Sequence, residues 1–142
     1  MNIRVRRVRS GVTLLAYARP GDAGMDIANA GPEVAMAPGA RALLPTGITV
    51  EIPAGYEIQV RPRSGLALKR GLTVLNSPGT IDSGYRGEVG VILCNLSAGP
   101  VTVAAGERIA QLVLARCETI TWEEAETLAA SERSTGGFGS TG

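Results

Sequence analysis

The chain has 142 residues, and its 14 Lys and Arg against 13 Asp and Glu leave a net charge of +1. This length suits a single domain with one core, and the near-neutral balance excludes nucleic-acid binding through bulk positive charge. The sequence contains no His, which excludes Ser-His-Asp and Cys-His nucleophiles and His-ligated zinc. It also lacks the Gly-Lys-Ser/Thr of a P-loop.

The first segment alternates arginines with apolar residues, from Ile3 to Arg9. The apolar stretch that follows is at the short limit for a signal peptide, so we interpret the segment as a first β-strand. Cys94 and Cys117 lack CxxC spacing, which favours two reduced thiols in an intracellular protein. No apolar run reaches the roughly 18 residues of a membrane span. We therefore expect a cytoplasmic protein.

Short β-prone runs separated by Gly and Pro follow along the chain. Turn signals recur about every 8–12 residues, which is typical of an all-β sandwich or barrel. Only residues 64–69 and 121–130 look helical, the second because Thr121 and Glu124 have capping-box spacing. The predicted strands cover residues 12–17, 41–44, 48–52, 56–60, 72–75, 88–96, 101–103 and 108–116.

The last residues differ in composition from the rest of the chain. After Ser131 the sequence becomes too rich in Gly to hold a fixed shape alone. We therefore predict an all-β domain over residues 1–130 and a flexible C-terminal arm over residues 131–142. The exposed sheet edges of such a domain need cover, and oligomerisation is one way to provide it.

Four segments could carry chemistry, and each has a structural alternative. Asp26 and Asp82 lie in Gly-flanked turns, where a carboxylate forms a structural Asx-turn, holds a water as a base, or enters the outer shell of Mg²⁺. Arg63 and Ser64 open a predicted helical turn, which suits either a phosphate or a plain Ser N-cap. The tail with Phe138 is either a frayed terminus or a cover over a ligand.

Taken together, five segments resemble the five motifs of the trimeric dUTPases (dUTP pyrophosphatases), in the order and spacing of that family. The resemblance implies a distorted jelly-roll or β-barrel-like fold and a homotrimer. It also implies Mg²⁺-dependent hydrolysis of dUTP to dUMP and pyrophosphate, which keeps uracil out of DNA and supplies dUMP for dTTP synthesis. The segments are residues 23–27 (AGMDI), 61–67 (RPRSGLA), 76–88 (NSPGTIDSGYRGE), 106–112 (GERIAQL), and Arg133 with 136–142 (GGFGSTG).

For the nucleoside, the resemblance implies that Asp82 is the base that deprotonates the water attacking the α-phosphorus. An aspartate is ionised at neutral pH and can accept this proton. Tyr85 would pack under the deoxyribose and exclude a 2′-hydroxyl by steric clash. A tight uracil slot, which excludes the methyl group of thymine, would be formed by Asn76, Gly79, Thr80 and Ile81.

For the triphosphate, the resemblance implies donors from several segments. Mg²⁺ would be chelated mostly by the triphosphate, with Asp26 reaching it through water. Arg133 would clamp the γ-phosphate, and Phe138 would cover the uracil. The remaining phosphate contacts would come from Arg63, Ser64, Gly65 and Gln111, and the arm would close the site with Gly139, Ser140 and Thr141.

The resemblance further implies that each site is assembled from three chains. One chain would supply the Asp82 segment, a second the Ser64 and Gln111 segments, and a third the arm. The family usually runs extended into its arm, so we allow at most one helical turn near Trp122.

Two other functions fit part of this pattern. A dCTP deaminase of the same fold would need a Glu-centred site instead of the loop around Asp82. A non-catalytic trimer that binds or senses dUTP would need no base at that position.

Overall fold

The computed structural model describes residues 1–137, and this part of the chain consists mainly of short β-strands. The all-β prediction is therefore confirmed. The elements are β1 (Arg4–Arg7), β2 (Gly24–Ala28), β3 (Val34–Met36), β4 (Arg41–Pro45), β5 (Ile48–Glu51), β6 (Tyr56–Arg61), α1 (Ser64–Arg70), β7 (Leu72–Val74), β8 (Gly79–Ile81), β9 (Gly90–Asn95), β10 (Val101–Val103) and β11 (Arg108–Arg116).

The strands of residues 1–137 pair into four small antiparallel sheets that do not close into one barrel. The largest has the order β2-β11-β6-β8, and a second has the order β4-β9-β7. The pairs β1-β5 and β10-β3 complete the set. This arrangement agrees with the distorted jelly roll that was expected.

Aliphatic side chains fill the core between the sheets, as the small number of aromatic residues requires. Val91, Val103 and Ala110 have no exposed surface, and Leu44 and Ile109 are 1% exposed. Buried Asn95 ties two turns to this core, because its Nδ2 donates to the carbonyls of Met36 and Gly99. A buried amide with its hydrogen bonds made fixes a turn without a desolvation penalty.

Eight of the nine predicted strands, including the first one between Ile3 and Arg9, form within two residues of their expected ends, and the differences have physical reasons. Residues 12–17 do not form a strand; instead Val12 and Leu15 pack against the core from an irregular segment. The strands β2, β3 and β8 were not predicted. Each has only three to five residues, and pairing with longer neighbours overrides its weak local preference.

One of the two predicted helical stretches forms. Helix α1 ends at Arg70, one residue later than expected. Gly71 follows as the C-cap with a left-handed φ of 64°, and its N–H bonds to the carbonyls of Leu66 and Ala67. The N-cap is Arg63 without a side-chain cap bond, so the Ser64 N-cap reading is wrong. Residues 121–130 are not helical, and every one of them is exposed. A short helix without a buried face is unstable in water.

Two further expectations concern the cysteines and membrane-spanning segments. Cys94 and Cys117 are both free thiols, as predicted. No helix within residues 1–137 has the length and the apolar composition needed to cross a bilayer.

Candidate active site

The segment after β7 forms a small cavity that contains the residues predicted for uracil and deoxyribose. The cavity has a volume of about 170 Å³ and lies between β6, β8 and the start of β9. All six of the residues predicted at the nucleoside end line it. They are Asn76, Gly79, Thr80, Ile81, Asp82 and Tyr85.

Gly79 keeps this cavity open because its neighbours leave no room for a side chain. A Cβ at this position would lie 3.1 Å from Asn76 Nδ2 and 3.3 Å from the Cβ of Val60. Gly79 is buried and begins β8, where it pairs with Val60 of β6. The strand pairing therefore places backbone amides and the Asn76 side chain along one wall, where they can meet the edge of a flat polar ring.

A tight turn after β8 presents Asp82 and Tyr85 together. The Tyr85 N–H donates to the Asp82 carbonyl at 3.1 Å, and Asp82 is exposed. Its carboxylate takes part in none of the ion pairs within residues 1–137. The carboxylate is thus available to accept a proton from water.

A second group of predicted residues lies on the sheet β2-β11-β6. Gln111 of β11 is in register with Asp26 of β2 on one side and with Arg61 of β6 on the other. The chain leaving β6 then brings Arg63 back to the same edge. Directly opposed residues in antiparallel strands lie about 4.5–5.5 Å apart, so this register gathers the side chains predicted to meet the triphosphate.

Asp26 is held between two arginines in this group. Arg63 Nε donates to its Oδ1 at 2.9 Å, and Arg108 Nη1 donates to its Oδ2 at 3.2 Å. Arg63 also donates to the Arg108 carbonyl at 3.0 Å. The sequence analysis did not single out Arg108, although it lies in a recognised motif. Arg108 pairs with Ala28, two residues from Asp26 on β2, so its proximity to Asp26 becomes evident only from the strand register.

The other predicted phosphate residues surround this cluster. Gln111 Nε2 donates to the Pro62 carbonyl at 2.9 Å, and an added Cβ at Gly24 would meet Gln111 Oε1 at 2.3 Å. Ser64 and Gly65 are exposed in the first turn of α1. Their backbone N–H groups are among those that a helix does not use internally.

The two groups are not part of one cavity within a single chain. Within residues 1–137, the residues that line the cavity around Asp82 do not include Asp26, Arg63, Ser64 or Gln111. Asp26 and Arg108 instead line a larger groove of about 590 Å³ beside residues 10–18. One chain therefore holds the nucleoside residues and the phosphate residues apart.

The predicted arm residues are described only in part. Arg133 is exposed, and its Nε donates to the Gly136 carbonyl at 2.9 Å. This bond makes a local turn and does not bring Arg133 to either group. Phe138, Gly139, Ser140 and Thr141 lie outside the described residues.

Glu88, the last residue of the motif at residues 76–88, is held by two partners. Arg9 Nε and Nη2 donate to its carboxylate at 2.7 and 3.0 Å, and the Gly47 N–H donates to its Oε1 at 2.8 Å. The hydrogen bonds from Arg9 lower the pKa of the Glu88 carboxyl below its ordinary value, against the opposing effect of burial. Sequence analysis missed this pair because 79 positions separate its members.

The Arg9–Glu88 pair gives a pH dependence whose sign follows from that pKa. A carboxyl with a lowered folded-state pKa stabilises the fold above its unfolded-state pKa, and this stabilisation is lost as the pH falls through the folded value. Glu88→Gln keeps an acceptor for Gly47 but removes the charge. We expect its urea midpoint to lie slightly below that of the unsubstituted protein at pH 7, because partly exposed pairs are weak. The difference should disappear below about pH 4; a constant difference from pH 7 to pH 3 would contradict this assignment.

Comparisons with known proteins identify the family of this chain. The family model for dUTPase matches residues 11–142. The deoxyuridine 5′-triphosphate nucleotidohydrolase of Beijerinckia indica is 56% identical over 135 residues, 93% of this chain and 84% of that protein. The protein of the same name from Chlamydia trachomatis serovar L2 is 55% identical over 138 residues, 96% of this chain and 95% of its own.

Solved structures show the same fold. A mutant dUTPase of Staphylococcus bacteriophage 80alpha with dUpNHpp superposes with a TM-score of 0.91 at 28% identity, covering 99% of this chain and 98% of that one. A mutant dUTPase of phage phi11 of S. aureus, whose structure describes a structural Mg(II) ion, has a TM-score of 0.83 at 24% identity and covers 92% of this chain and 100% of its own. The chain belongs to the dUTPase family.

Proposed function

We propose that the cavity around Asp82 is where this dUTP diphosphatase holds the nucleoside of dUTP while it hydrolyses the nucleotide to dUMP and pyrophosphate. The single observation that carries this proposal is the lining of the cavity. Six residues assigned to uracil, deoxyribose and the attacking water on sequence grounds share one small space. Its volume of about 170 Å³ is enough for one flat base with part of a sugar.

The chemical step needs a base and a set of donors. Asp82 would take the proton of a water that attacks the α-phosphorus, while the bond to the pyrophosphate oxygen breaks. Arg63, Gln111 and the N–H groups of Ser64 and Gly65 would donate to phosphate oxygens as charge develops. Positioned donors of this kind are usually the largest contribution to catalysis.

Specificity would come from the walls of the cavity. Asn76 and the backbone from Gly79 to Ile81 match the donor and acceptor edge of uracil. Val60 lines the same cavity, and its side chain would limit the space for the methyl group of thymine. Tyr85, at the mouth of the cavity, would lie under the deoxyribose and clash with a 2′-hydroxyl.

The residues present suit Mg²⁺ that is held mainly by the triphosphate. Residues 1–137 contain no cluster of three acidic or thiol side chains able to chelate a metal. Asp26 already accepts a hydrogen bond from an arginine at each oxygen, and each oxygen keeps a lone pair for one ordered water. Asp26 would thus hold a water of the ion. When bound, Mg²⁺ neutralises phosphate charge and orients the triphosphate.

We further propose a homotrimer in which each site is shared between chains. The separation of the two residue groups within one chain supports this arrangement, because a neighbour could bring its phosphate group to the cavity around Asp82. The segment that leads into the arm supports it as well. Every residue from 118 to 135 is exposed, and Trp122 is 90% exposed. A segment that exposes large apolar side chains is expected to lie on another chain.

The outer face of the sheet β4-β9-β7 suits contact between copies. Leu43 of β4 is in register with Ile92 of β9, and Leu75, which follows β7, donates its N–H to the Ile92 carbonyl at 2.9 Å. Leu43 and Leu75 are 70% and 49% exposed. Three aliphatic side chains in a row on an exposed sheet face mark a surface that association would bury.

Leu43→Glu is expected to weaken the trimer. It places a charge in the middle of the apolar row, where burial would leave the charge unpaired. Sedimentation velocity should show smaller species at micromolar concentration. The matched control is Leu68→Glu on α1, at a residue that is 87% exposed and outside the row; it should remain trimeric. A fully trimeric Leu43→Glu protein would contradict this assignment of the interface.

The specificity of the proposed site is tested by pyrophosphate release from dUTP, dTTP, dCTP and UTP, each with Mg²⁺ or with EDTA. We expect release from dUTP to be far faster than from the other three, and to be lost in EDTA. Comparable hydrolysis of all four would contradict the roles of Asn76 and Tyr85. Bound dUTP without release would favour a sensing trimer over an enzyme, and ammonia from dCTP would favour a deaminase.

The cellular role follows from this reaction. Removing dUTP keeps uracil out of DNA, and the dUMP formed supplies dTTP synthesis. The free Cys94 and Cys117 suit a reducing compartment, and we propose that the enzyme acts in the cytoplasm.

A further inference from the structure

The contacts of Glu88 connect the N-terminal segment to the cavity around Asp82. Its carboxylate lies between the Arg9 guanidinium and the Gly47 N–H. Gly47 in turn accepts a hydrogen bond from the Val8 N–H at 2.8 Å. The residue before Arg9 is therefore fixed to the same turn that contacts Glu88, and the ion pair joins two anchored segments.

Glu88 also sets the position of the Tyr85 ring. The Tyr85 hydroxyl donates to the Glu88 carbonyl at 2.9 Å. The ring lies close over Gly87, where an added Cβ would meet the hydroxyl oxygen at 2.4 Å. Tyr85 is nevertheless 45% exposed, so packing alone holds its outer face weakly. The hydroxyl bond to Glu88 is the main polar restraint on the ring among the described residues.

We propose that the Arg9–Glu88 ion pair is a positioning device for Tyr85 and helps set the preference for deoxyribose over ribose. This inference rests on the proposed role of Tyr85 under the sugar. Steric rejection of a 2′-hydroxyl depends steeply on distance, so a ring that moves by a few tenths of an ångström admits ribose more easily. Arg9 and Glu88 touch neither substrate nor the attacking water; they act through Tyr85.

The neighbouring contacts explain why the ion pair matters despite its exposure. Val89 is anchored independently, because its N–H donates to the Ile48 carbonyl at 2.9 Å. Glu88 lies between this anchor and the turn that carries Tyr85. Loss of the two bonds from Arg9 would leave the Glu88 carboxylate held by the Gly47 N–H alone. A bidentate arginine–carboxylate pair is more directional than an ordinary surface pair.

The test compares kcat/KM for dUTP and for UTP in Arg9→Gln and Glu88→Gln. We expect the dUTP/UTP ratio to fall by about three- to tenfold in both, mainly through faster turnover of UTP. Arg9→Lys, which keeps the charge and one donor, should restore most of the ratio. Because both substrates are measured on the same sample, a loss of folded protein leaves the ratio unchanged.

The matched control is Arg4→Gln. Arg4 forms an exposed ion pair with Glu51 across β1 and β5 at 2.5 Å and does not line the cavity. Its dUTP/UTP ratio should equal that of the unsubstituted protein. An unchanged ratio in Arg9→Gln and Glu88→Gln, with or without a loss of stability, would overturn the inference. Absence of dUTP hydrolysis in the unsubstituted protein would instead contradict the proposed function.

Discussion

Asp82→Asn is expected to lower kcat for dUTP by about 10²- to 10⁴-fold, the usual contribution of a general base. The amide has nearly the same shape but cannot accept the proton of the attacking water. The dissociation constant for a non-hydrolysable dUTP analogue should change little, since Asp82 is exposed at the rim of the cavity. Single-turnover kinetics and equilibrium titration of the same preparation would give both quantities.

Asp22→Asn is the matched control for this substitution. Asp22 is also an exposed aspartate on a Gly-flanked turn, and its carboxylate accepts a hydrogen bond from the Arg19 N–H at 2.9 Å. It lies outside the cavity around Asp82, so kcat should stay at the level of the unsubstituted enzyme. If Asp82→Asn keeps most of its turnover, Asp82 is not the base. If it loses binding with kcat intact, its role lies in holding substrate.

Deleting residues 136–142 is expected to lower kcat/KM by about 100-fold, the scale of the loss when a positioning contact is removed. The deleted residues include Phe138, Ser140 and Thr141, which would cover the uracil and the phosphates and exclude water. The exposed course of residues 118–135 predicts that this arm closes a site on another chain. Sedimentation should therefore show the trimer intact.

Arg133→Gln tests the proposed contact with the γ-phosphate separately from the covering of the uracil by the arm. This variant keeps the whole arm but loses the charge proposed for the γ-phosphate, so KM should rise with a smaller change in kcat. Unchanged kinetics after the deletion would contradict the closing role of the arm. A deleted protein that sediments as a monomer would show that the arm acts in assembly.

The strands that could be predicted from the sequence are those whose residues show a clear local strand preference. Residues 108–116 form a nearly continuous apolar run, and the predicted strand coincides with β11, which lies between β2 and β6. The strand β8 has three residues, and only pairing with β6 makes it a strand. Conversely, residues 12–17 have a strand-like composition but pack beside Gly47 in an irregular form. Local preference decides long elements, while tertiary pairing decides short ones.

The residues of the candidate site were likewise predictable where they are close in the chain, and not where they are paired across long distances in the sequence. The residues from Asn76 to Tyr85 are close in the chain, so one motif predicted a whole cavity. The hydrogen bonds from Arg108 to Asp26 and from Arg9 to Glu88 join positions that are 82 and 79 residues apart. Neither pair has a local signal, because charge complementarity identifies a partner only after the strands are in register.

Hydrolysis of dUTP in water enriched in ¹⁸O tests the central claim most directly. If Asp82 activates a water at the α-phosphorus, mass spectrometry should find one ¹⁸O atom in each dUMP and none in pyrophosphate. Label in pyrophosphate, or release of single phosphate, would place the attack at another phosphorus and contradict this account of the site.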